Sequence, residues 1–116
     1  MTQIYYLLIG ADLASYSSFD EGEFADENFS VKHTEPGLLG MCKRNDYANS
    51  NECQFYVTLG APLSYMDNKN VVFGRIINGM KTFRSIEKLE TYNQKPTSKV
   101  IIRKGGAYTG YWWKLN

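Results

Sequence analysis

Glu21, Glu23, Asp26 and Glu27 place four carboxylates close together, a cluster from which a cation site or an acid–base pair could be built. Their spacing follows neither the ligand positions of an EF-hand loop nor another metal pattern, so a solvated loop is expected there. His33 is the single histidine and stands beside Thr34 and Pro36 in an apparent surface turn. No serine or cysteine accompanies it in a nucleophile motif, and no catalysis is assigned to it. Cys42 and Cys53 are too few for a disulfide framework and, with one histidine, for a zinc set. Cys42 reads as a small buried strand residue, redox-sensitive only if its thiolate were favoured. The densest signal is residues 54–74, QFYVTLGAPLSYMDNKNVVFG, where Phe55, Tyr56, Tyr65, Met66 and Phe73 gather around one connecting segment. Burial of two strands accounts for the runs alone, not for so many aromatic and apolar groups converging there.

The elements that would hold these residues follow from periodicity. IYYLLIGADL is β-branched and aromatic, is bounded by Gly10 and reads as a strand or a tight strand pair. ASYSSFDEGEF is small and polar, hence a loop, and Glu35-Pro36-Gly37 punctuates like a turn. GLLGMCK is a short apolar strand in which Gly40 allows close backbone approach. Residues 43–53, KRNDYANSNEC, are rich in asparagine and read as a loop. QFYVTL and NVVFGRI are two more strands. After Asn78-Gly79, Met80, Phe83, Ile86 and Leu89 recur at spacing three among charges, predicting an amphipathic helix of about three turns. KVIIRKGGAY reads as a final strand, and the chain ends on an aromatic tail with Trp112 and Trp113.

Bulk composition narrows the classes of function. A chain of 116 residues with 43% hydrophobic and 22% charged content fits one folded domain. The formal net charge is +1 with both signs interspersed, so neither a nucleic acid nor an anionic membrane is an expected partner. The apolar stretch from Ile4 to Ala11 is too short to span a bilayer and has no basic flank. The expectation is a cytoplasmic protein, the cytoskeleton or a cilium included.

Taken in order, FADENF, the turn before GLLGM, the asparagine-rich loop, QFYVTL, the turn at Asp67, NVVFG, the helix opened by NGM and KVIIRKGG resemble the cyclophilins, the family of peptidyl-prolyl cis-trans isomerases. The resemblance runs over residues 19–107. It implies an eight-stranded antiparallel barrel capped by two helices, with a proline-binding groove on its outer face. Two strands and the first helix of that fold have no counterpart in this sequence. The fold expected is therefore mainly β: a partial cyclophilin-like antiparallel β-barrel with one amphipathic helix over residues 1–107, followed by the tail, 108–116. Either the sequence is a fragment or another protein chain completes the barrel, with the Trp112–Trp113 tail as a contact.

The resemblance also implies the site. Phe55, Tyr56, Tyr65, Met66 and Phe73 would line or support the pocket for a proline ring, which has no N–H to satisfy. Gln54 and the backbone of the Cys42–Asn51 loop would hold the flanking peptide by hydrogen bonds. Tyr6 falls where the family has a pocket phenylalanine, Leu7 at a pocket methionine, Tyr65 at a tryptophan and Asn70 at a frequent histidine. The partners implied are proline-containing peptide or protein segments, with no cofactor and no metal. The family's substrate-binding glutamine falls at Ile9 and its catalytic arginine at Met1, so no catalytic residue is assigned. Binding of X-Pro segments with weak or lost isomerisation is expected. The alternative is a non-catalytic structural subunit of a large assembly, such as a ciliary microtubule or a spliceosome.

Overall fold

Four of the β-forming runs pair into one antiparallel sheet whose spatial order differs from their order in the chain. The computed structural model describes residues 6–9, 24–43, 47–60 and 62–107. β1 is Tyr6–Ile9, β2 Leu38–Lys43, β3 Asn51–Thr58 and β4 Val72–Arg75. They lie in the order β1-β3-β2-β4. Tyr6 faces Thr58 and Ile9 faces Phe55 across the first pair, while Gly40 faces Tyr56 across the central one. A second, two-stranded sheet joins β5, Thr91–Tyr92, to β6, Lys95–Pro96.

β3 is the interior strand, and its sequence shows why. Tyr56, Val57 and Thr58 are all at most 1% exposed, so both faces of the strand are covered, as two successive buried residues require. Leu38, Leu59, Leu63, Met66, Val71 and Val72 complete the buried apolar set among the described residues. The Pro36-Gly37 turn is stitched onto the end of β3. Gly37 has φ of +86°, a conformation glycine adopts without a Cβ penalty. Its N–H donates to Thr58 O at 2.7 Å, and its carbonyl accepts from Ile76 N at 2.8 Å. The Thr58 hydroxyl donates to Glu35 O and accepts from Leu38 N, both at 2.9 Å. One buried threonine thereby fixes where β2 starts.

Four sequence expectations change. The segment read as a loop over 43–53 gives its first residue to β2 and its last three to β3, because Asn51 finds backbone and side-chain partners there. The helix, α1, is Met80–Glu87, a little over two turns. Its end tightens, with Lys88 N donating to Ser85 O and Leu89 N to Ile86 O, the i→i−3 pattern that closes a helix. The apolar run at 100–102 forms no strand: Val100, Ile101 and Ile102 are 46%, 62% and 68% exposed, and no strand pairs with them among the described residues. β-forming residues make a strand only where a neighbour accepts their hydrogen bonds. His33, read as part of a surface turn, is 1% exposed. The tail, 108–116, and most of the polar segment before Phe24 lie outside the described residues.

Candidate functional site

On one side of the sheet, β1, β2, β3 and the segment before β4 enclose a cavity of about 280 Å³. Its floor is Tyr56 on β3. Tyr6 comes from β1, and the two rings meet edge-on with centroids 5.8 Å apart at 65°, a favourable aromatic geometry. Tyr65 and Met66 reach the cavity from a 3-10 turn, Ser64–Met66, and Lys69 and Asn70 from the residues just after it. β2 closes the remaining side with Cys42 and Lys43.

Tyr56 is held from behind by a chain of buried polar contacts. Its hydroxyl lies 2.5 Å from His33 Nε2, while His33 Nδ1 lies 2.8 Å from Asp67 Oδ1. The His33 backbone N–H donates to the same carboxylate oxygen at 2.7 Å. A carboxylate only accepts, so Nδ1 carries the proton; in the neutral ring Nε2 is then the acceptor and the Tyr56 hydroxyl the donor. Those His33 contacts, backbone first, hold the Asp67 carboxyl below its ordinary pKa, against a small opposing effect of burial. Burial is the main reason the Tyr56 phenol is pushed well above its usual range, with Cys42, Asp67, Tyr6 and Tyr65 adding to it. The phenol therefore stays neutral and its proton stays committed to His33. Room for the hydroxyl comes from Gly40 directly opposite, where an added Cβ would lie 2.2 Å from Tyr56 Cζ and Oη.

The β2 side is set by a second network. Lys43 Nζ donates to Asp26 Oδ2 at 2.7 Å and lies 5.5 Å from the centre of the Phe29 ring. Asn51 Nδ2 donates to Asp26 Oδ1 at 2.8 Å, and Asn49 N to Oδ2 at 3.0 Å. Asp26 is thus an ion-pair partner and not a solvated loop acid. Burial alone would raise its pKa, but the hydrogen bonds from Lys43, Asn51 and Asn49 and the charge of Lys43 leave it below the ordinary value. A carboxyl with a depressed folded-state pKa adds stability above about pH 4 and loses it as pH falls through its folded value. The melting temperature is therefore expected to drop as pH falls below about 4, and Asp26→Asn to flatten that acid limb. An unchanged slope in the variant would show that Asp26 does not couple to folding.

Of the residues assigned from the sequence, Tyr6, Tyr56, Tyr65, Met66 and Asn70 meet at this cavity. Gln54 and Phe55 are half-buried on β3 and do not line it. Phe73, on β4, is 55% exposed and also lies outside the lining. The side chain of Leu7 lies outside what the structure describes. Asn70 spends its amide on the protein, donating from Nδ2 to Met41 O at 3.1 Å. Three more residues line it: Cys42 and Lys43, for which the sequence reading assigned only the backbone of their segment, and Lys69, which it did not assign. Cys42 is a free thiol whose pKa burial pushes up to about 12, so at neutral pH it contributes an uncharged, unreactive wall. Among the described residues, no group of three or more His, Cys, Asp or Glu is placed to hold a metal ion.

The arrangement is a recess lined by aromatic rings and a thioether, with Lys43, Lys69 and Asn70 adding polar groups to its lining. It can receive a small apolar ring and hold the chain on either side of it. A family model described as "Cyclophilin type peptidyl-prolyl cis-trans isomerase/CLD" matches residues 9–107. Among curated relatives, "Peptidyl-prolyl cis-trans isomerase 11" of Caenorhabditis elegans is 44% identical over 85 residues, covering 72% of this chain and 45% of the relative. "Peptidyl-prolyl cis-trans isomerase H" of Rhizopus delemar is 48% identical over 84 residues, covering 72% and 46%. The protein of the same name from Mycosarcoma maydis is 38% identical over 99 residues, covering 84% and 62%. The chain thus spans less than two thirds of the length of each of these relatives.

Proposed function

The chain belongs to the family of cyclophilin-type peptidyl-prolyl cis-trans isomerases, and from that premise we propose that its cavity binds X-Pro segments of peptides or proteins, with isomerisation weak or lost. The observation that carries this reading is the convergence of Tyr6, Tyr56, Tyr65 and Met66 on one recess. A pyrrolidine ring suits such walls because it brings no N–H that must be satisfied.

Turning the prolyl amide is a harder task than binding it. The barrier is about 18–20 kcal/mol, and no bond is made or broken. Catalysis needs a site that holds the twisted amide better than either planar form. A donor to the prolyl nitrogen would supply that preference, and the described lining contains no arginine. Loss of one preorganised donor costs about 10²–10³ in rate. Addition of an Ala-Pro peptide to the ¹⁵N-labelled chain is expected to shift the amides of Tyr56, Tyr65, Met66 and Asn70. Cis-trans exchange in the same sample should be at least about 100-fold slower than an arginine-bearing cyclophilin gives. Shifts that avoid these residues would remove the binding reading, and rapid exchange would remove the claim of weak catalysis.

A second reading, assembly with another protein chain, draws on different residues. Val100, Ile101 and Ile102 are exposed and have no strand partner among the described residues, and β1 and β4 are the outer strands of the described sheet. Exposed edges and an unpaired β-forming run suit an added strand. A non-catalytic, structural role would use this surface and leave the cavity unoccupied.

A further inference from the structure

We propose that Lys69 makes the cavity selective for X-Pro segments that carry a carboxylate within about two residues of the proline. The inference rests on the prolyl-binding reading and adds a substrate class to it. Two ammonium groups belong to the lining, and their surroundings differ. Lys43 is paired with Asp26 at 2.7 Å, and both side chains are nearly buried, at 4% and 8% exposure. Its charge is already neutralised within the protein. Lys69 is exposed on the turn that follows Met66, where its backbone N–H donates to Met66 O at 3.2 Å. Among the described residues its ammonium has no ion-pair partner.

The acid nearest to Lys69 in the chain does not cancel this charge. Asp67 accepts from the His33 backbone and ring and interacts with the charge of Lys32. No aspartate or glutamate contributes to the described lining. A ligand whose ring is seated on Tyr56 therefore meets, in the exposed Lys69, a positive charge without an ion-pair partner among the described residues. Two residues of extended chain span at most about 7 Å, a length that the flexible lysine side chain can bridge. Because the group is exposed, the expected gain is that of a surface ion pair, about twofold to fivefold in affinity.

The test compares two peptides that differ only in the residue before proline, glutamate against alanine, titrated into the chain at low and at about 1 M salt. The expected result is a twofold to fivefold preference for the glutamate peptide that shrinks at high salt. The ratio should fall to about one in Lys69→Gln and invert in Lys69→Glu. Equal affinities in the wild type, or a preference that persists in Lys69→Gln, would overturn the inference while leaving prolyl binding intact. Failure of both peptides to shift Tyr56, Tyr65 and Met66 would overturn the prolyl reading and the selectivity with it.

Discussion

Tyr56→Ala is expected to lower the stability of the folded chain by about 3–5 kcal/mol, the range for truncating a large buried aromatic residue. Tyr56 is 1% exposed and clusters with Leu63 and Met66, with Cys42 packed against them. Losing the ring removes those contacts and the floor of the cavity together. It also leaves His33 Nε2 in the interior without its partner, which adds a desolvation penalty. Tyr56→Phe separates the two contributions: the ring stays, and only the hydrogen bond is lost, so about 1–3 kcal/mol is expected. Urea denaturation midpoints at constant m-value measure both variants. A loss below 1 kcal/mol for Tyr56→Ala would mean that this ring does not organise the core.

The reverse change, adding volume, should be nearly as damaging at Gly40. A Cβ there would lie 2.2 Å from both Cζ and Oη of Tyr56 and 2.8 Å from Cε1. The ring cannot simply step aside, because its hydroxyl is tied to His33 and the surroundings are buried. Overpacking of this kind costs about 1–3 kcal/mol or more, and Gly40→Ala is expected at the upper end. A double-mutant cycle tests the cause. In the Tyr56→Leu background the clash is gone, so the alanine should cost much less, giving a coupling of about 0.5–3 kcal/mol. Additive losses would show that the two positions do not compete for space.

Much of the sheet was readable from local pattern. β1, β2 and β4 fall inside runs dominated by apolar residues and punctuated by glycine, which indicate a small β-rich domain; the partial antiparallel barrel was implied by the resemblance to a family. The start of β3 was not readable, because Asn51 is a poor strand former by itself. It belongs there because Nδ2 reaches Phe24 O and Asp26, contacts with residues far earlier in the chain. His33 misled for a similar reason: Thr34, Glu35 and Pro36 give its surroundings a surface character, while Asp67 and Tyr56, which satisfy its ring, lie 34 and 23 residues away. The run at 100–102 erred in the opposite direction, since strand composition does not supply a strand partner. At the site, the aromatic residues were placed by resemblance to a family. Lys43 was missed because the acid that draws it into the wall lies 17 residues earlier.

The order β1-β3-β2-β4 also sets a sequence of events in time. β2 and β3 are joined through a short connection, with Lys43 opposite Asn51, whereas Ile9 must find Phe55 across about 45 residues. Closing the longer loop costs on the order of 1.5 kcal/mol more in chain entropy. β1 is therefore expected to dock after the other three strands have assembled. Because Tyr6 arrives with it, the recess is completed only in that last step, and a chain still emerging or partly refolded would present the Tyr56 floor without its opposing wall.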